Sequence, residues 1–106
     1  MTPLFNKLSV ARRAGKIVCG FDRVKESVAA GTSFLVLTAS DLSPKSLKEV
    51  LFFCQDTVPC VPVEETVAMF GDGIGFQTGI VSVEDEGFAK AIQSVLQSRE
   101  YGGKNR

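Results

Sequence analysis

The sequence predicts an α/β domain, a three-layer α/β/α sandwich built around a small, largely parallel or mixed sheet. Three observations predict it. Segments with helical spacing of apolar residues alternate with short, continuous apolar runs, as expected for helices covering both faces of a buried sheet. Helix starts and stops are marked by Thr-Pro, Ser-Pro, Asp and Gly signals. The 106 residues, 44% apolar and 23% charged, suffice for one core and one domain.

Each element has its own signal. Thr2-Pro3 supplies a cap and a first-turn proline, after which Leu4, Leu8 and Ala11 keep helical spacing until Gly15. Lys16-Ile17-Val18-Cys19 is long enough only for a very short strand or an extended link. Gly20 opens and Gly31 closes a second helix, whose apolar side is Phe21, Val24 and Val28. Phe34-Leu35-Val36-Leu37 reads as a strand buried on both faces. Ser43-Pro44 caps a third helix with Leu47, Val50, Leu51 and Cys54 as its apolar stripe. Residues 58–63 form another short strand, and Val67 to Phe70 a helical turn or two that the following glycines stop. Thr78 to Val83 reads as the last strand, and Asp85 caps a final helix through Phe88, Ile92, Val95 and Leu96. The domain then covers residues 1–98, and residues 99–106 are expected to form a flexible tail.

Several functional classes drop out. The chain has no run of about 18 apolar residues, so no membrane-spanning helix is expected. Its first residues lack the basic-then-apolar layout of a secretory signal. Cys19, Cys54 and Cys60 are odd in number and form no C-x-x-C pair, so neither a disulfide framework nor a zinc site is suggested, and a cytoplasmic setting is expected. Histidine, the commonest general base and metal ligand, is absent. Glu64-Glu65 and Glu84-Asp85-Glu86 read as solvated charges or partners of helix dipoles. No catalytic residue, metal or cofactor is expected. Gly71-Asp72-Gly73-Ile74-Gly75 lacks the preceding strand and following helix of a dinucleotide loop, and a tight turn is the favoured reading.

Charge distribution points elsewhere. Residues 1–30 carry six basic side chains (Lys7, Arg12, Arg13, Lys16, Arg23, Lys25) against Asp22 and Glu26, whereas residues 31–98 carry three basic against nine acidic. Such asymmetry suits a polyanion-facing edge or, equally, a dipolar surface that aids solubility. A helix beginning at Gly20 points free backbone N–H groups outward, and those groups attract phosphate. Glycine there leaves room for an RNA backbone that a side chain would hold away. Lys16, Arg23 and Lys25 add charge around that point; an ordinary solvated helix start is the alternative.

The order of motifs resembles one family. Leu8 followed by Ala11-Arg12-Arg13-Ala14-Gly15-Lys16, then Gly20 opening a helix that ends at Gly31, is similar to the bacterial branch of the kink-turn-binding ribosomal-protein family, the L-seven-Ae and L-thirty-e type. Leu35-Val36-Leu37-Thr38-Ala39-Ser40-Asp41, Val58-Pro59, Phe70-Gly71-Asp72-Gly73-Ile74-Gly75 and Asp85-Glu86-Gly87-Phe88-Ala89 continue the likeness over roughly residues 4–97. The resemblance implies an α/β/α sandwich that binds RNA containing a sharply bent internal loop, reading shape and unstacked bases. It implies contacts from Gly20, Phe21, Asp22, Arg23 and Glu26 on the second helix, with Lys16 beside them. It also implies that a second loop, Val63-Glu64-Glu65-Thr66, covers an extruded base. A structured RNA, ribosomal or other cellular, is the implied partner, with no DNA and no membrane. Asp22, Arg23 and Glu26 depart from the family's usual Asn or Lys, polar residue and Lys. With the acidic middle of the chain, Asp22 and Glu26 motivate an alternative, a protein-interaction module on the same fold that has lost kink-turn binding.

Overall fold

The computed structural model describes residues 2–104, with side chains described as far as Arg99. In chain order the elements are α1 (Pro3–Arg13), β1 (Ile17–Cys19), α2 (Phe21–Ala29), β2 (Leu35–Thr38), α3 (Pro44–Cys54), β3 (Cys60–Pro62), α4 (Val67–Ile74), β4 (Ile80–Val83) and α5 (Glu86–Lys104). The expected caps hold the helix starts. Thr2 Oγ1 accepts from the Phe5 N–H at 3.2 Å, Ser43 Oγ from Ser46 at 3.2 Å, and Asp85 Oδ2 from Phe88 at 2.9 Å. Thr66 adds a cap that the sequence reading lacks, accepting from Met69 at 3.2 Å. Each cap contributes about 1 kcal/mol by satisfying an otherwise orphaned donor.

The sheet is mixed, in the order β1-β4-β2-β3. β4 runs antiparallel to both β1 and β2, and only β2 and β3 are parallel. Alternation along the strands serves both faces at once. Leu35, Leu37, Val81 and Val83 pack with Leu4, Leu8, Phe70 and Ile92 of α1, α4 and α5. Val36 and Ile80 pack the other way, against Val24 and Val28 of α2 and Val50 and Cys54 of α3. The predicted sandwich is therefore present, with three helices on one face and two on the other. Ser82 lies on the α2 side and is fully buried, so its hydroxyl needs a partner. It donates to Ser33 Oγ at 2.7 Å and lies 2.9 Å from Ser27 Oγ, which donates to Glu84 Oε2 at 2.6 Å. This hydroxyl chain fastens α2 to β4.

Two expectations are corrected by the structure. The glycines after Phe70 do not stop α4: the helix passes through Gly71 and Gly73 and ends at Gly75, whose φ of 76° makes the left-handed C-terminal turn. They are there for close packing. A Cβ on Gly73 would lie 2.5 Å from the ring of Phe5, which is itself buried and packed edge-on to Phe70 at 5.4 Å. Gly73→Ala gains about 1 kcal/mol of helix propensity. Overpacking a tight helix contact costs more, about 1–3 kcal/mol. A net loss of up to about 2 kcal/mol is expected, read as a lowered Tm in thermal unfolding. The second correction concerns the C-terminal boundary. α5 continues past position 98 to Lys104, and Arg99 is bound to Glu65 rather than lying in a free tail. Asn105 and Arg106, also part of the expected tail, lie outside the described residues.

Candidate nucleic-acid interface

Because β4 is antiparallel to β1 and β2, the ends of β1, β2 and β3 and the start of β4 meet at one end of the sheet. Backbone bonds tie these segments together. Gly20 N–H donates to the Ile80 carbonyl at 3.1 Å, Ala39 N–H to Gly79 at 2.9 Å, and Ser40 N–H to Glu65 at 2.8 Å. Gly20 has φ 98° and ψ 150°, a conformation that L side chains rarely adopt, and a Cβ built there would meet nothing within 4 Å. Glycine is needed for the backbone, and the space above it is open. No side chain caps α2, in contrast to the Thr2, Ser43, Thr66 and Asp85 caps of the other helices. The first N–H groups of α2 are thus free to meet an anion, helped by the positive end of the helix dipole.

Side chains around this start divide by sign and by direction. Asp22, Arg23, Lys25 and Glu26 are all exposed. Phe21 is half-buried, its ring edge-on to Phe53 at 5.6 Å, so it offers a ligand its backbone more than its ring. Arg12, at the end of α1, lies 5.4 Å from the centre of the Phe76 ring, which is 46% exposed. Arg12 and Arg23 converge electrostatically on Cys19: burial pushes this thiol up, and the two guanidinium groups pull against that shift. The result is an open helix start flanked by two guanidinium groups and an exposed aromatic face.

Some predicted site residues lie elsewhere. Lys16 is at the far end of β1 from Gly20, about 13 Å away at the usual rise of a strand. Its carbonyl accepts from Glu84 N–H at 2.7 Å, beyond the other end of β4. The Val63–Thr66 loop follows β3, the opposite edge strand from β1, three strand spacings or about 14 Å across the sheet. Within that loop Val63 is 6% and Glu65 3% exposed, so neither side chain can cover a base. Arg99 holds Glu65 with two hydrogen bonds of 3.1 and 2.9 Å, and the Thr66 hydroxyl is occupied in capping α4. Glu64 alone is exposed there. Lys25 faces a groove between α2 and α3 rather than the helix start.

The segment that does adjoin Gly20 is Gly75–Gly79, just before β4, and the sequence reading omits both it and Arg12 from the site. The available signals were a phenylalanine exposed between glycines and the basic N-terminal third. Among the described residues no group of three or more His, Cys, Asp or Glu is placed to hold a metal ion. No described helix is long and apolar enough to cross a membrane.

Fold and site together define the class: residues 3–92 match the sequence model of the Ribosomal protein L7Ae/L30e/S12e/Gadd45 family, and the chain belongs to that family. Among curated proteins it is 36% identical over 94 residues to the RNA-binding protein YlxQ of Bacillus subtilis (strain 168), a match covering 87% of this chain and 93% of that protein. A solved structure of a protein of unknown function from Bacillus halodurans C is similar with a TM-score of 0.86 at 25% identity, over 92% of this chain and 99% of that one. The Giardia lamblia 15.5kD RNA binding protein shares the fold, with a TM-score of 0.75 at 19% identity over 93% and 86% of the two chains.

Proposed function

We propose that the chain binds structured RNA without catalysis, setting the open start of α2 against a sharply bent backbone of the kink-turn type. The observation that carries this reading is the uncapped helix start at Gly20, with open space above it. Phosphate oxygens accept from the free N–H groups there, and Arg12 and Arg23 supply the charge that a polyanion requires. Phe76 offers a face for an unstacked base, a contact of about 1–3 kcal/mol in single-stranded recognition. Asp22 accepts a hydrogen bond from a base amino group, while Glu26 disfavours phosphate on its side of the helix and so orients the strand. Family membership and the RNA-binding relative support the same reading. A cytoplasmic setting and association with ribosomal RNA complete the proposal.

The test compares a kink-turn RNA with a straight duplex of equal length at two salt concentrations. Tighter binding to the bent RNA, weakening as salt rises because counterions are released, is the expected result. Equal binding of both RNAs at both salts would overturn kink-turn recognition.

A further inference from the structure

The sheet-facing stripe of α3 is Val50 and Cys54, yet the helix has a second apolar side turned outward. Lys48, Leu51, Phe52 and Gln55 follow i, i+3, i+4, i+7 spacing and so share one face. On this face Phe52 is 76% exposed and Leu51 45% exposed. Together with Phe53 and with Lys25 of α2 they line an open groove of about 640 Å³ between the two helices. Lys25 and Lys48 stand over it, and among the described residues neither is within ion-pair distance of a carboxylate. Glu49 is the one acid among the lining residues.

We propose that this groove docks an acidic amphipathic segment of another protein. Its bulky apolar side chains enter between Leu51, Phe52 and Phe53, and its carboxylates meet Lys25 and Lys48. Three apolar side chains are too few for a self-complementary dimer, which needs about 800 Å² from each copy. A few aromatic and leucine anchors inside a polar rim suit a short inserted segment. The two unpaired lysines select an acidic one. RNA fits less well: a leucine and a glutamate line the surface, and the local excess of positive charge is one. The groove adjoins the proposed RNA site through the Phe21–Phe53 ring contact, yet it stands on different residues and does not require that site to work.

The test titrates the full, isotope-labelled chain with three synthetic peptides of equal length, followed by NMR. One is an amphipathic helix with Leu and Trp anchors flanked by Glu; the second has the same anchors flanked by Lys; the third keeps Glu but replaces the anchors by Ser. Only the first should shift the signals of Leu51, Phe52, Phe53 and Lys25. Phe52→Ser should weaken that binding about tenfold, as loss of a central anchor does, and Lys48→Glu should transfer the preference to the Lys peptide. Both substitutions are at exposed positions, so the fold survives them and the binding readout stays clean. The proposal is overturned if the acidic peptide leaves the groove signals unmoved or the Lys peptide shifts them equally. It is also overturned if sedimentation shows self-association that Phe52→Ser abolishes, or if a kink-turn RNA moves the groove signals and the acidic peptide does not.

Discussion

Arg99→Ala is expected to cost about 2–3 kcal/mol and to lower the Tm by about 10 °C or more, a large effect for one side chain near the end of the chain. Glu65 explains it. Its side chain is 4% exposed and accepts two hydrogen bonds from the Arg99 guanidinium, which is itself 28% exposed. Removing the cation leaves a buried carboxylate without a partner, a loss of about 3–5 kcal/mol for a fully buried pair and less here because Arg99 is partly solvated. The bond also raises the Arg99 pKa above its ordinary value. A group with a raised folded pKa keeps its contribution below the unfolded value and loses it only as pH rises past the arginine range, so the latch is constant near neutrality. Replacing both partners, as Glu65→Leu with Arg99→Met, should recover most of the stability, because no unpaired charge then remains. Thermal unfolding of the parent and these two variants checks this. A Tm for Arg99→Ala within about 2 °C of the parent would show that water solvates Glu65 instead.

Reversing both guanidinium charges at the helix start, Arg12→Glu with Arg23→Glu, is expected to weaken RNA binding about 100-fold at low salt, roughly tenfold for each charge. The salt slope should flatten by about two charges. Both residues are exposed, so stability should stay within about 0.5 kcal/mol of the parent. Lys16→Glu is the matched control. It makes the charge change of one of these two substitutions at the far end of β1 and should alter binding less than about threefold, through the long-range field alone. Filter binding of the variants to a kink-turn RNA measures all of this. A Lys16 effect as large as that of Arg23 would mean that the RNA spans the length of β1.

Local rules made much of the fold legible. Thr2-Pro3, Ser43-Pro44 and Asp85 cap the helices they were expected to cap. The apolar run through Leu35, Val36 and Leu37 is buried on both faces. Gly20 was legible as the residue that opens α2, and its φ of 98° shows why a glycine stands there. What local rules could not supply was the neighbour across space. Gly73 looks like a helix breaker until Phe5, far away in the chain, is seen against it. Leu51 fits the core periodicity of α3, but the helix is buried along the Val50 and Cys54 side, and Leu51 faces outward. The misplaced second loop has the same origin. Sheet order cannot be read from strand patterns, and β4, last in sequence, inserts between β1 and β2. That insertion brings Gly75–Gly79 beside Gly20 and leaves Val63–Thr66 at the opposite edge.

The most direct test of this arrangement is the NMR footprint of a kink-turn RNA on the labelled chain, followed amide by amide. RNA seated on the helix start should shift Phe21, Asp22 and Arg23 most, with Phe76 to Gly79 next, and leave Val63 to Thr66 nearly unmoved. Largest shifts at Val63 to Thr66, with the start of α2 unchanged, would contradict the account.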